Sequence, residues 1–290
     1  MMTTQRDTPP SDPLPRPPFP LDRLLAMLRR GRPMPAGRVA IVRLYGSIGG
    51  GARTADQIEL IRRLRDSKRV PAVVVDVDSP GGSATASDDL FLALQRLAAK
   101  KPLVASIRGT GASGAYLAAM AARTVVAQPH AVVGSIGVIS VGPRVARLFD
   151  RLGVEVSETK AGRLKGMGAP WREETDEERA KERELVDAFY TAFVQRVAAG
   201  RGLPEERVRE LATGEVWLGE QARDLGLIDE VGDLERAVEI AAQAAGVPPR
   251  PAVVHLRRRL LDRLFERFAM QLGERLADEL ETRMGHGLRT

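Results

Sequence analysis

Length, composition and charge already limit what this chain can be. It has 290 residues, of which 43% are hydrophobic, and its formal net charge is +6. A chain of this size and composition can bury a substantial core. It contains no cysteine, which excludes disulfides, thiolate metal sites and a cysteine nucleophile. The histidines are His130, His255 and His286, too few for a histidine-rich metal site, and we expect neither a metal nor another cofactor.

The excess of positive charge does not indicate a nucleic-acid partner. Lysines are six of the 44 basic residues, the arginines are interleaved with acidic residues, and aromatic residues make up 4% of the chain. This pattern is typical of a solvated charged surface without stacking platforms for bases. The sequence has no recognisable signal peptide or transmembrane helix, since its longest uncharged stretch, residues 124–143, is interrupted by glycine and proline. We therefore expect a cytoplasmic protein.

The two ends of the chain differ in composition from its middle. Residues 1–20 are rich in proline and predict a disordered tail. Residues 21–37 form a short amphipathic segment and linker, and residues 249–290 hold a predicted amphipathic helix with a leucine or phenylalanine every four residues. Packing against the domain, self-association and peripheral membrane contact are all open for these two segments.

The middle of the chain, residues 38–248, alternates short apolar runs with helical stretches. This alternation predicts an α/β domain with mostly parallel strands. We expect strands at residues 39–44, 72–77, 103–107, 125–127, 136–140 and 155–159. We expect helices at residues 54–67, 85–100, 115–122, 176–199, 203–212, 218–225 and 234–245. Gly-rich turns follow the second and third strands, and because the carboxyl ends of parallel strands share one edge, these turns are candidates for a single site.

Ser113 is the candidate nucleophile. It lies between two glycines at the predicted start of an apolar helix, where N–H groups point outward and favour a developing negative charge. A serine in this place is equally suited to be a helix N-cap. A nucleophilic serine also needs a base, and a lysine amine serves when its surroundings lower its pKa. The candidates are Lys160 and Lys165 in a Gly-rich loop, and His130.

Five motifs in order along the chain resemble peptidase family S49, the signal peptide peptidase A type. They are Ser-Pro-Gly-Gly at 79–82, Ala-Ser-Gly-Ala-Tyr at 112–116, Gly-Ser-Ile-Gly-Val-Ile at 134–139, Lys165 before Ala-Pro-Trp-Arg at 169–172, and Gly-Glu-Gln-Ala-Arg-Asp-Leu-Gly-Leu-Ile-Asp at 219–229. The resemblance covers residues 39–245. It implies a Clp/crotonase-like fold of the α/β class, with a mostly parallel sheet and flanking helices.

The same resemblance implies a Ser-Lys dyad. Ser113 matches the family's nucleophile, Lys165 its general base, and Ser135 the serine that orients the lysine. The backbone N–H groups that match the oxyanion hole belong to Gly81, Gly82 and Gly114. The implied function is a serine endopeptidase that cleaves hydrophobic peptides, such as signal-peptide remnants, through an acyl-enzyme.

Family resemblance also bears on partners and on competing functions. Short members assemble from several subunits, so we expect a homo-oligomer in which neighbouring subunits can supply the two dyad residues. Many members carry an N-terminal membrane anchor that is not seen in this sequence, which leaves peripheral membrane contact as the expectation.

A Clp-type protease would need a histidine near position 138, where the chain has Val138. A crotonase-like thioester enzyme and a non-catalytic scaffold of a membrane-associated complex compete with the peptidase as functions for this sequence.

Overall fold

A computed structural model of the chain describes residues 36–49 and 52–254. The predicted segments at residues 1–20 and 21–37, the predicted C-terminal helix, and His255 and His286 lie almost wholly outside the described residues. Within those residues, no helix combines the length and apolar character needed to cross a bilayer.

Strands and helices alternate along the described chain. The strands are β1 (Val39–Tyr45), β2 (Ala72–Ser79), β3 (Leu103–Ala112), β4 (Thr124–Ala127), β5 (Val132–Gly134), β6 (Val216–Leu218), β7 (Glu230–Val231) and β8 (Pro251–Val253). The helices are α1 (Ala52–Asp66), α2 (Ala84–Ala98), α3 (Gly114–Ala119), α4 (Ala146–Leu152), α5 (Asp176–Arg201), α6 (Glu205–Leu211), α7 (Gly219–Asp224) and α8 (Leu234–Ala245).

These strands form one sheet in the order β6-β5-β3-β2-β1-β8. The long strand β3 serves two partners, since its first half pairs with β4 and its second half with β5, and β4 also pairs with β7. Strands β5 and β6 run antiparallel, and the other pairings are parallel. The predicted α/β class, with a mostly parallel sheet and flanking helices, is confirmed.

Helices cover the sheet on both faces, which explains the continuous apolar runs of its central strands. In β2, Val73, Val75 and Val77 enter a large core shared with α1, α2, α3 and α5. The alternate residues Ala72 and Val74 enter a second core, under α8. The candidate site lies at the carboxyl ends of β2, β3 and β5.

Two predicted elements next to that site were wrong. Strand β3 continues to Ala112, through most of the segment expected to be a Gly-rich turn. The strand expected at residues 136–140 is instead β5, which ends at Gly134. It ends there because Gly134 and Ser135 both have a positive φ, 108° and 49°, which turns the chain out of the sheet.

Short elements were missed by the sequence patterns. Strands β6, β7 and β8 contain two or three residues each and owe their conformation to the neighbouring strands rather than to their own periodicity. Strand β8 pairs with β1, so the sheet continues past the domain boundary expected at residue 248. Helix α4 was also missed, because every one of its residues is exposed or half-buried and it shows no apolar face. The strand expected at residues 155–159 does not form, because these residues are all exposed and pair with no other strand.

Candidate active site

Ser113 occupies a sharp turn between β3 and α3. Its backbone has φ 51° and ψ −126°, a conformation that a residue with a Cβ rarely adopts. Within the described residues, its side chain makes no capping hydrogen bond with α3, which argues against the N-cap role. Its N–H donates instead to the carbonyl of Gly134 at 2.8 Å. The turn therefore presents the half-buried hydroxyl to the adjacent cleft.

An irregularity in the sheet produces this turn. Val77 pairs with residue 107 and Ser79 with residue 111, so β3 advances 111 − 107 = 4 residues while β2 advances 79 − 77 = 2. The Asp78 carboxylate fills the resulting bulge, where its Oδ1 accepts the N–H of Thr110 at 3.0 Å. A Cβ on Gly109 would lie 2.7 Å from that oxygen. The Asp78 carboxylate thus stabilises the bulge, and the bulge sets the direction of the last residues of β3.

Glycine N–H groups lie directly beside Ser113. A Cβ on Gly81 would be 2.6 Å from the nitrogen of Gly114 and 2.9 Å from the Cβ of Ser113, so the two Gly-rich turns touch. The N–H of Gly81 donates to Ser79 Oγ at 3.1 Å, which removes it from the expected set of oxyanion donors. Gly114 is the first residue of α3, where an N–H has no acceptor within the helix. This leaves Gly82 and Gly114 as the candidate oxyanion donors.

These two glycines cannot be replaced without displacing their neighbours. A Cβ on Gly82 would overlap the carbonyl of Ile48, and one on Gly114 would overlap the hydroxyl of Ser87. Ser87 is itself held, since its Oγ donates to the carbonyl of Ser83 at 2.8 Å. The close approach of α2 and α3 therefore depends on the absence of a Cβ at these two glycines.

Ser135 is brought next to Ser113. Ala112 and Gly134 are partners in the β3–β5 register, and each serine is the next residue along its strand. Both serines have a positive φ and both line the same cleft. The N–H of Ser135 donates to the carbonyl of Glu215 at 2.6 Å, which ties it to the chain before β6.

The cleft beside Ser113 has a volume of about 840 Å³ and a largely apolar wall. Its large side chains are Leu117, Val138, Ile139, Phe189, Tyr190 and Phe193. Two charged residues also line it, Asp88 of α2 and Arg196 of α5, and they form an ion pair. Sequence patterns did not single out this pair, because nothing in the spacing of two residues 108 positions apart (196 − 88) indicates contact.

Lys165 does not line this cleft in the described structure. It is exposed in a segment we call the Lys165 arm, residues 139–175. The Arg172 guanidinium holds the loop, since its Nη2 donates to the carbonyl of Gly166 at 2.6 Å and it forms two hydrogen bonds to buried Glu178. These bonds lower the pKa of the Glu178 carboxyl to about 2. The loop that carries Lys165 is thus ordered, but it lies apart from Ser113.

The remaining candidate bases are also outside the cleft. Lys160 is exposed and pairs with Glu158 at 3.1 Å. His130 is exposed in the turn that precedes β5, whereas Ser113 lies beyond the other end of that strand. Within the described part of one chain, no candidate base meets the nucleophile.

The remaining motif residues stabilise the frame around the site. The hydroxyl of buried Tyr116 donates to the carbonyl of Leu227 at 2.7 Å, which anchors α3, and burial raises its pKa. Asp229 accepts the N–H of Val125 at 2.7 Å and forms a bidentate pair with Arg201 at 2.7 and 2.8 Å. Burial raises the pKa of Asp229, but these bonds outweigh it and the net direction is downward.

Comparisons with known proteins identify the family of this chain. The profile of peptidase family S49 matches residues 95–248. The chain is 36% identical over 214 residues to a putative protease of Synechocystis sp., slr0021, covering 73% of this chain and 76% of that protein. The chain belongs to peptidase family S49.

The chain covers smaller shares of other proteins that it resembles in sequence. The chloroplastic serine protease SPPA of Arabidopsis thaliana is 37% identical over 222 residues, which is 73% of this chain but 33% of that protein. The putative protease MJ0651 of Methanocaldococcus jannaschii is 38% identical over 190 residues, 66% of this chain and 61% of that protein. Among solved structures, a ClpP1 mutant from Listeria monocytogenes aligns with a TM-score of 0.48 at 15% identity, covering 68% of this chain and 93% of that one.

Proposed function

We propose that this S49 member is a serine endopeptidase in which Ser113 is the nucleophile and Lys165 the general base. The observation that carries the proposal is the strained turn at Ser113. It holds a hydroxyl that makes no capping bond within the described chain against an apolar cleft, beside the N–H groups of Gly82 and Gly114. A positive φ at a non-glycine residue costs of order 1–3 kcal/mol and is typical of functional sites.

The proposed reaction is acyl transfer to the serine. The neutral amine of Lys165 takes the proton of the Ser113 hydroxyl as its oxygen attacks the peptide carbonyl. The negative charge on the carbonyl oxygen is held by the N–H groups of Gly82 and Gly114. The lysine then gives its proton to the leaving amine, and water activated by the same lysine hydrolyses the ester. Ser135 orients the amine.

A second copy of the chain supplies the base in this proposal. The Lys165 arm exposes seven large apolar side chains: Ile139, Val141, Leu148, Leu152, Val154, Val156 and Trp171. An apolar surface of this kind marks a protein interface. The arm docks on the neighbouring copy and brings Lys165 beside Ser113 and Ser135 of that copy. Burial against the apolar wall there favours the neutral amine that a base requires.

The proposed substrates are hydrophobic peptides, including signal-peptide remnants. Support comes from the aliphatic and aromatic wall of the cleft, in which Leu117, Phe189 and Phe193 lie close to the candidate nucleophile. We also propose that the enzyme is cytoplasmic and that residues 21–37 and 249–290 make peripheral contact with a membrane.

A complementation assay tests the dyad and its assembly together. We expect Ser113→Ala and Lys165→Ala each to lose casein and peptide-ester hydrolysis by at least roughly a thousandfold, with no further loss in the double variant. When the two single variants are co-expressed, about a quarter of the sites pair an intact serine with an intact lysine of the next copy, and activity returns. Lys160→Ala, in the same loop, is the matched control.

Three outcomes would contradict parts of this proposal. Wild-type protein without hydrolysis of either substrate would favour a non-catalytic scaffold. Full activity of Lys165→Ala would remove the lysine from the reaction. Co-expressed variants that stay inactive while forming mixed oligomers would show that serine and lysine act within one copy.

A further inference from the structure

The ion pair between Asp88 and Arg196 is the distinctive polar feature of the cleft. These are its two charged lining residues in the described part of the chain, and they reach each other from two helices, α2 and α5. The Arg196 guanidinium also lies over the Phe91 ring, 4.8 Å from its centroid, where a cation is attracted to the ring face. The side chains are 26% exposed for Arg196 and 33% for Asp88. The pair is therefore held in place while part of it stays accessible to whatever fills the cleft.

The pair lies on the side of the cleft where the oxyanion donors are. Helix α2 begins at Ala84, two residues after Gly82, and Asp88 follows one turn later, about 6 Å along the helix axis. The residue before Asp88 is Ser87, which lies against Gly114. A peptide with its scissile carbonyl at these N–H groups would place a nearby side chain against the pair.

We infer that the Asp88–Arg196 pair is a specificity-determining element that excludes charged substrate side chains from the position it faces and admits neutral ones. A basic side chain would compete with Arg196 for Asp88, and an acidic one would compete with Asp88 for Arg196. Either would have to break the pair and leave one partner without its counter-ion in a poorly solvated cleft. A neutral side chain leaves the pair intact. Peptides with a neutral side chain at this position are therefore preferred, because charged side chains carry a penalty there.

Burial lowers the pKa of the Arg196 guanidinium, as expected for a cation partly withdrawn from water. The inference rests on the proposed peptidase function, because it assigns the side chain that the peptide site prefers.

Removing one charge at a time tests the inference. We measure kcat/KM for peptides that carry Leu, Lys or Glu at each of the three positions before the scissile bond. Arg196→Met leaves an unpaired carboxylate, and we expect the Lys/Leu ratio at one position to rise about tenfold. Asp88→Asn leaves an unpaired guanidinium, and we expect the Glu/Leu ratio at that same position to rise by a similar factor. The double variant has no pair to break, so both the Lys/Leu and the Glu/Leu ratio at that position should rise above those of wild type, and wild-type ratios in this variant would overturn the inference.

A matched control and a binding measurement separate this inference from the peptidase proposal. Glu59→Gln and Arg62→Met alter an exposed ion pair on α1 and should change no ratio. The affinities of fluorescent forms of the same peptides are also measured in the Ser113→Ala background, where the expected shifts do not depend on turnover. Thermal unfolding identifies any variant that fails to fold, and the other single variant then carries the test.

The possible results are distinct. Wild type that binds the peptides selectively but hydrolyses none would overturn the peptidase proposal and support the charge exclusion. Folded single variants with unchanged Lys/Leu and Glu/Leu ratios in both measurements would overturn the charge exclusion and leave the peptidase proposal standing.

Discussion

The turn at Ser113 and the Lys165 arm are built in opposite ways. Ser113 follows a strand buried in the sheet, and its neighbours Gly82 and Gly114 are held by contacts that leave no space for a Cβ. In the arm, helix α4 has no buried face, and large apolar side chains are exposed in the same segment as Lys165. One region is packed within the described part of a single chain, whereas the other exposes apolar side chains without covering them. This difference is why the proposed site includes two copies.

The largest expected effect concerns the close contact of α2 and α3. Gly114→Ala would force its Cβ into the Ser87 hydroxyl, and we expect a loss of about 1–3 kcal/mol in unfolding free energy together with most of the activity. Chemical denaturation and peptide hydrolysis measure the two losses. Adding Ser87→Gly removes the opposing side chain and should recover part of both. Equal stability of Gly114→Ala and wild type would contradict the tight packing of α2 against α3.

Substitutions in the Lys165 arm should change assembly and leave the unfolding free energy nearly unchanged. Leu148→Ser with Leu152→Ser changes side chains that are 52% and 65% exposed, so we expect the unfolding free energy to change by no more than about 0.5 kcal/mol. Oligomeric mass, measured by light scattering, should fall, and activity should become dependent on protein concentration. The matched control is Leu185→Ser, on α5 outside the arm. An unchanged mass and activity would show that the arm is not the interface.

Loss of the Asp78 carboxylate should lower kcat less than Gly114→Ala does, because it loosens the bulge without displacing a helix. Asp78→Ala leaves the N–H of Thr110 without its acceptor, and we expect a loss of about 1–3 kcal/mol of stability with a lower kcat. Asp78→Asn keeps an oxygen at that position and should restore most of kcat at an unchanged KM. If the Asn and Ala variants had equal kcat, the hydrogen bond would not position the end of β3.

The smallest effect concerns acid pH and the base of the arm. Hydrogen bonds from Arg172 lower the folded-state pKa of Glu178 to about 2, from an ordinary value of 4.5. The stabilisation is therefore fully present above pH 4.5 and is lost as the pH falls from 4.5 toward 2. Hydrogen exchange in residues 139–175 should accelerate over that interval relative to β2. Glu178→Gln should lack this pH dependence, and a wild-type arm with constant relative protection would contradict it.

Long, strongly patterned elements were predictable from the sequence. Helix α8 matches its expected range, residues 234–245, and the first three strands begin where the apolar runs begin. Register was not predictable, because the bulge at Asp78 depends on a carboxylate of one strand filling a gap in the next. Likewise, the sequence did not reveal that the N–H of Gly81, which the family resemblance assigns to the oxyanion hole, is bonded to Ser79.

Sequence patterns were sufficient to establish the α/β class, the family and the identity of the candidate residues. Periodic apolar runs dictate strands and helices locally, and five ordered motifs are specific enough to indicate S49. Which of those residues meet depends on the tertiary structure. Ser113, Ser135, Gly82 and Gly114 converge on one cleft with Asp88 and Arg196, while Lys165 lies elsewhere. Proximity between residues far apart in the chain is set by strand register and helix packing, which sequence spacing does not encode.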